Sequence, residues 1–119
     1  MACPVFRSIT LISSPYHSGV PNVRVARGPT FLKQRGLLDR LRSTELPVNE
    51  VEVPSVENEF HGDIARSFEL FRRTSELVRQ AQEKQFFPVV LAGNCGASVG
   101  VAAGLTQAIK KVDGELACV

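Results

Sequence analysis

A glycine-rich turn carries the residue types best placed for chemistry. Residues 93–96 (Gly-Asn-Cys-Gly) follow a continuously apolar segment and open a segment with a helical pattern. A cysteine at the start of a helix is a candidate nucleophile, because the helix amino terminus favours the thiolate. Such a nucleophile needs a base, and His17 and His61 are the only histidines. The same turn could instead cradle a phosphate with backbone N–H groups, although its order matches neither GxGxxG nor a P-loop with its lysine.

His17 is the second candidate. It lies in residues 15–22, a segment rich in turn formers that follows the first predicted strand. An imidazole there could meet a substrate or a metal ion, or could simply be solvated. His61 is predicted to lie before a long helix, as part of its amino-terminal turn, and Arg27 to brace the loop that it opens.

The elements that position these residues alternate along the chain. Strands are predicted at residues 8–13, 48–53, 86–92 and 116–119, and the strand at 48–53 is expected at a sheet edge because prolines flank it. A short helix is predicted to begin at Pro29 and to end before Gly36, a glycine suited to the left-handed position after a helix. A second short apolar turn follows over residues 37–41.

Two longer helices complete the pattern. Residues 63–85 have a helical period, with Ile64, Phe68, Phe71, Val78 and Ala81 predicted to share one buried face. Residues 97–111 are predicted to form the other helix, in which Gly100 and Gly104 would lie one turn apart. Those two glycines are expected to let this helix approach the sheet closely.

This order of elements indicates a three-layer, doubly wound α/β fold on a parallel sheet. Residues 86–92 are continuously apolar, which is typical of a central strand covered on both faces. In open parallel sheets ligands bind beyond the carboxyl ends of the strands, and both His17 and Cys95 follow a predicted strand. The expected site therefore lies at that edge.

Composition narrows the classes of function. With 119 residues and a net charge of +2, the chain suits one domain and lacks the basic stripe of a nucleic-acid-binding protein. The three cysteines, Cys3, Cys95 and Cys118, fit neither a disulfide framework nor a zinc knuckle, and indicate a reducing cytoplasmic setting. We expect no signal peptide and no membrane span.

Three segments together resemble the amino-terminal third of the arginase/agmatinase (ureohydrolase) family. They are residues 15–19 (Pro-Tyr-His-Ser-Gly), residues 27–41 with their RGP-x-x-L and GLL-x-x-L patterns, and residues 88–95 (PVVLAGNC). The resemblance implies an arginase-like doubly wound parallel sheet. It also implies hydrolysis of a C–N bond in a guanidino or amidino small molecule, with a pair of Mn²⁺ ions that generate a bridging hydroxide.

The resemblance assigns roles to single residues as well. The family turn after the third strand reads Gly-Gly-Asp-His-Ser, with a histidine that ligates metal, and Cys95 stands at that histidine position. Thiolate suits softer metals than Mn²⁺, so the substitution implies an altered metal site, a changed substrate or a catalytically silent relative. Cys95 is thus the candidate metal ligand and His17 the candidate substrate-binding residue.

The remaining expectations concern the whole protein. Residues 1–119 are expected to be the amino-terminal part of a single arginase-like domain that is incomplete at its carboxyl end, and a homo-oligomer is expected for the complete protein. Two alternatives stay open. One is a non-catalytic arginase-like or binding fragment, and the other is an amidohydrolase that uses Cys95 as its nucleophile.

Overall fold

The first strand is the centre of the sheet. In a computed structural model, which describes residues 5–110, β1 (Ser8–Ser14) pairs in parallel with β4 (Val48–Glu52) on one side and β5 (Phe86–Ala92) on the other. Leu11 and Ile12 point to opposite faces of β1, and both are fully buried. Both faces of the sheet are therefore covered at β1.

Helices supply that cover on both sides. α1 (Gly28–Gln34) and α2 (Leu37–Arg42) lead from β1 to β4, whereas α3 (Asp63–Glu83) leads back from β4 to β5, and α4 (Ala97–Lys110) follows β5 and packs along α3. The two crossovers step in opposite directions across the sheet, so right-handed connections place them on opposite faces. The structure confirms the doubly wound, three-layer α/β fold.

The main core lies between the sheet and the α3–α4 layer. Its buried members come from β1, from the segment after it, from the segment after β4 and from α3; they are Ile12, Tyr16, Val53, Val56, Leu70 and Val78. Side chains of α4, including Val101 and Leu105, pack against this cluster while remaining half-buried. The core therefore joins β1 directly to the long helices that flank the expected site.

Most predicted boundaries agree with the structure to within two residues. Gly36 has φ +88°, the left-handed conformation expected of it, and separates α1 from α2. α1 begins at Gly28, one residue earlier than predicted, so that Pro29 is its second residue. His61 lies before α3, as predicted, but it precedes the Gly62 cap and the first helical residue, Asp63, and so lies outside the first turn. Arg27 has a structural role, but in the loop that precedes it, since its Nε donates to the Asn22 carbonyl oxygen at 3.3 Å.

β5 lies at an edge of the described sheet. Its apolar sequence predicted a central strand, but among residues 5–110 β5 pairs only with β1, and Phe87 is 46% exposed. Pro88 fits this position. Gly93 N–H bonds toward β1, so by strand alternation the Pro88 nitrogen faces the free edge, where no ladder donor is lost. Residues 48–53 were predicted at an edge, and β4 does lie at the other edge of the described sheet.

Two predictions about helix faces were also wrong in part. Ile64 and Phe68 are 76% and 65% exposed, and the buried positions of α3 are instead Leu70, Thr74, Ser75, Val78 and Ala81. The apolar period of the sequence continues past the point at which the sheet and α4 cover the helix. Gly100 and Gly104 do mark close packing, but they approach the backbone of α3 rather than the sheet.

The loop predicted at residues 15–22 contains short regular elements, and a further one follows it. β2 (Tyr16–His17) and β3 (Val20–Pro21) form a hairpin, and residues 24–27 form a 3₁₀ turn. No helix within residues 5–110 is long and apolar enough to cross a bilayer. The predicted turn at 113–114 and the predicted strand at 116–119 lie outside the described residues.

Candidate functional site

The carboxyl ends of β1 and β5 bring the two predicted loops together. Ser14 is in register with Ala92, and the N–H of Gly93 donates to the Ser14 carbonyl oxygen at 3.2 Å. A Cβ atom at Gly93 would lie only 2.5 Å from the carbonyl oxygen of Tyr16 and 2.8 Å from the Cα of Ala26. Only glycine permits this approach, so Gly93 closes the turn of residues 93–96 onto the hairpin that contains His17.

His17 is held in a tight two-residue hairpin. It pairs with Val20, and the two residues between them, Ser18 and Gly19, both have positive φ (49° and 85°). Positive φ at both central residues is the requirement of a type I′ turn, whose twist matches that of a hairpin. The imidazole is half-buried, and its position at the rim agrees with the prediction from sequence.

Two buried polar atoms of the described residues lie without a hydrogen-bond partner, and both are close to the carboxyl end of β1. They are Nδ1 of His17 and Oγ of Ser13, a residue that is 1% exposed. An unsatisfied buried polar group costs about 1–3 kcal/mol, and native proteins keep few of them. Both atoms lie at the end of the sheet where the turn of residues 93–96 meets the hairpin.

Cys95 lies at the mouth of an open groove beside β5. The thiol is exposed, and Ser98 donates to the Cys95 carbonyl oxygen from both its N–H (3.1 Å) and its Oγ (2.8 Å), which fixes the turn at the start of α4. The groove, of about 460 Å³, runs between β5 and α4. Its lining is mainly apolar; it comprises Pro88, Val90, Ala92, Asn94, Cys95, Ala97, Ser98, Val101, Ala102 and Leu105.

These residues do not fit a Mn²⁺ centre on their own. Within residues 5–110 no group of three histidine, cysteine, aspartate or glutamate side chains could hold a metal ion. The polar side chains that line the groove with Cys95 are Asn94 and Ser98, whereas Mn²⁺ prefers carboxylate and imidazole ligands. Cys95 could therefore supply at most one ligand to a site completed by other residues.

Tyr16 is a residue of the rim that sequence analysis did not single out. It is 4% exposed, and its hydroxyl donates to the Val53 carbonyl oxygen at 2.6 Å. Burial raises the pKa of this phenol, the nearby Glu52 carboxylate raises it further, and Arg73 acts in the opposite direction. A tyrosine just after a buried strand commonly buries its ring and hydrogen-bonds its hydroxyl. This position in the sequence could have identified Tyr16 as a buried residue of the rim. Tyr16 joins the hairpin to the end of β4.

An arginine clasp holds the segment after β4 against α3. Arg73 donates to the carbonyl oxygens of Pro54 (3.2 Å) and Ser55 (2.8 Å), and it pairs with Glu59 and Glu69. Hydrogen bonds from Arg72, with a further contribution from Arg73, lower the pKa of Glu69 to about 2. The clasp fixes the segment next to Val53, which accepts the hydrogen bond from the Tyr16 hydroxyl, and so helps to hold the hairpin in place.

Curated relatives of this chain are arginases. No family model matches the chain. It is 29% identical over 115 aligned residues to Arginase-1 of Mus musculus, covering 82% of this chain and 32% of that protein. It is 26% identical over 111 residues to an arginase of Staphylococcus aureus (strain COL), covering 85% and 37% respectively. The chain thus spans about a third of the length of the curated relatives that it matches.

Solved arginases share the fold. The arginase of Bacillus subtilis superposes with a TM-score of 0.69 at 22% identity, over 84% of this chain and 34% of that one. The arginase of Entamoeba histolytica, solved in complex with L-ornithine, gives a TM-score of 0.71 at 20% identity, over 89% and 38%. The fold is therefore arginase-like, and the chain resembles the amino-terminal portion of an arginase, as its sequence patterns predicted.

Proposed function

We propose that this chain is part of an arginase-like hydrolase that cleaves a C–N bond in a guanidino or amidino small molecule. The observation that supports the proposal most directly is the similarity to curated arginases over more than four fifths of the chain. The convergence of two loops at the carboxyl end of the sheet also supports it, because ligands of open α/β sheets bind there. The ornithine complex of a structural neighbour suggests an amino-acid-like ligand.

Within that proposal His17 and Cys95 have distinct roles. His17 would contact the substrate from the hairpin, where its Nδ1 has no partner among the described residues. Cys95 would face the metal site as a single thiolate ligand. The Mn²⁺ dependence is part of the proposal for the whole protein only, since residues 5–110 do not assemble a metal-binding cluster.

Further features of the whole protein are proposed with it. The chain would form part of one larger α/β domain, since it spans about a third of its curated relatives. We also propose a cytoplasmic location, in keeping with cysteines that do not form a disulfide framework, and a homo-oligomeric assembly of the complete protein.

Urea release is the direct test. The native polypeptide, meaning this chain with whatever sequence it is joined to in the cell, is incubated with arginine or agmatine, with and without Mn²⁺. We expect Mn²⁺-dependent urea release from one of them. The 119-residue chain alone is expected to release none, because a metal-activated hydroxide needs several converging ligands. Failure of the native polypeptide on both substrates and on other guanidino compounds would refute the proposal.

The Cys95→His variant tests the metal assignment separately. If Cys95 faces a metal site completed by other residues, histidine restores a nitrogen ligand and raises Mn²⁺ affinity in the native polypeptide. In the chain alone the same change is expected to leave Mn²⁺ binding unchanged. Unchanged affinity in both proteins, measured by titration, would mean that Cys95 does not face the metal.

A non-catalytic, arginase-like protein is the second candidate. The observation that favours it is the setting of Cys95, which shares its groove with apolar side chains and two neutral polar ones rather than with carboxylates or imidazoles. For this candidate, the native polypeptide would bind a guanidino compound in a calorimetric titration without releasing urea. The use of Cys95 as a nucleophile is tested by alkylation, which would abolish a metal-independent activity.

A further inference from the structure

Arg66, in the first turn of α3, contacts three separate segments around the candidate site. Its Nε donates to the Ser18 carbonyl oxygen at 3.2 Å, and its Nη1 donates to the Phe60 carbonyl oxygen at 3.3 Å. Its Nη2 pairs with Asp63 one turn earlier in the helix. The guanidinium thereby links the tip of the hairpin, the loop before α3, and α3 itself.

The aliphatic part of the Arg66 side chain packs closely against Gly19. A Cβ atom on Gly19 would lie 2.6 Å from the Arg66 Cβ and 2.7 Å from its Cδ. The Arg66 side chain is only 17% exposed. Gly19 therefore serves two requirements, since it adopts a positive φ of 85° and leaves space for the arginine stem.

The hairpin is consequently held at three points around His17. The Tyr16 hydroxyl bonds to Val53, the Tyr16 carbonyl lies against Gly93, and the Ser18 carbonyl accepts from Arg66. The residues on both sides of His17 are therefore anchored by contacts from other segments. No described residue bonds the buried Nδ1 of His17 itself. The contacts that fix the position of His17 in the described residues are therefore those of the residues on either side of it.

We infer that Arg66 is a positioning residue for His17: by clamping the Ser18 carbonyl and packing against Gly19, it fixes the hairpin that presents the imidazole at the rim. The inference rests on the proposed function for its consequence, because the imidazole is proposed to contact the substrate. The clamp itself is a property of the unliganded protein. Arginine suits the role since its planar fork can serve two carbonyl oxygens and a carboxylate together.

The test replaces Arg66 and follows His17 directly. In the native polypeptide, Arg66→Gln removes the fork, Arg66→Lys keeps the charge with fewer directed donors, and Arg79→Gln is the matched control. Arg79 lies on the same helix and pairs with Glu76 and Glu83, away from the hairpin. The readout is the imidazole ¹H–¹⁵N spectrum, in which a His17→Gln variant identifies the His17 signal. Amide exchange over residues 18–20 is recorded in parallel.

We expect Arg66→Gln to shift the His17 imidazole signal and to speed amide exchange at the hairpin tip by about tenfold, the factor for a loss of about one directed hydrogen bond. Arg66→Lys should give a smaller shift in the same direction, and Arg79→Gln should give none. If Arg66→Gln does not fold, Arg66→Lys and Gly19→Ala provide the decision, since the added Cβ presses on the same stem. An unmoved His17 signal in those variants would overturn the inference.

Kinetics separate this inference from the proposed function. If the native polypeptide releases urea, Arg66→Gln should raise KM more than it lowers kcat, because the imidazole is proposed to bind substrate. If no guanidino compound is hydrolysed, the proposed function fails, while the His17 signal still decides whether Arg66 positions the hairpin. A shifted signal with unchanged KM would show that the clamp exists but does not serve substrate binding, which overturns the functional part.

Discussion

The contact between α3 and α4 gives the sharpest prediction about packing. A Cβ atom at Gly104 would lie 2.5 Å from the Ser75 carbonyl oxygen and 2.8 Å from the Val78 Cβ. At Gly100 it would lie 2.6 Å from the Phe71 carbonyl oxygen. The nearest atoms are backbone atoms that cannot rotate away, so the helices would have to separate by roughly 1 Å to restore ordinary contact.

The expected change in the free energy of unfolding follows from two opposing effects. Overpacking of a tight interface costs about 1–3 kcal/mol, whereas alanine is favoured over glycine within a helix by about 1 kcal/mol. Gly100→Ala and Gly104→Ala should therefore each destabilise the native polypeptide by about 0–2 kcal/mol. Gly100→Leu and Gly104→Leu should cost about 3 kcal/mol or more, because the larger side chain has no space between the two helices.

Urea unfolding, monitored by circular dichroism, measures these changes in stability as shifts of the urea midpoint at a constant m-value. Gly28→Ala is the matched control. Gly28 is also helical (φ −53°, ψ −53°), but a Cβ there meets nothing within 4 Å. That variant should be neutral or more stable by up to about 1 kcal/mol. If both leucine variants unfold at the parental urea concentration, the two helices do not pack through these glycines and the reasoning is wrong.

Other predictions follow from single contacts. Tyr16→Phe should destabilise the protein by about 1–3 kcal/mol, because it leaves the Val53 carbonyl oxygen buried without a donor; an unchanged urea midpoint would refute the bond. Because the pKa of Tyr16 is raised, its contribution to the free energy of unfolding should be complete below pH 10 and should be lost above it. The Tyr16→Phe variant should not show this loss. The lowered pKa of Glu69 has the opposite effect on the pH dependence of stability. Its contribution to the free energy of unfolding is complete above about pH 4.5 and is lost as the pH falls towards 2. Glu69→Gln should flatten acid unfolding in that window, and an unaltered profile would contradict the ion pairs. The chain alone should elute as a species larger than a monomer, because β5 leaves one edge unpaired within the described sheet; a monomer with a cooperative melt would refute this.

Sequence analysis was most successful where local physics decides the structure. The run at residues 86–92, the helical period from Asp63, and the left-handed Gly36 each depend on the preferences of neighbouring residues, and the structure confirms all three. The placement of Cys95 at the end of a parallel strand followed from the same local pattern. A resemblance spread over three segments predicted the fold that the comparisons with arginases then supported.

The tertiary structure decided which surfaces meet. Periodicity showed that α3 has an apolar face, but only the position of α4 determines that Leu70 is buried while Ile64 and Phe68 are exposed. Spacing showed that Gly100 and Gly104 share a face, but it could not reveal that their partner is the backbone of α3. The contacts made by Tyr16 and Arg66 join segments 37 and 48 residues apart in the chain. Such contacts depend on the mutual placement of whole elements, and no local pattern of residues records that placement.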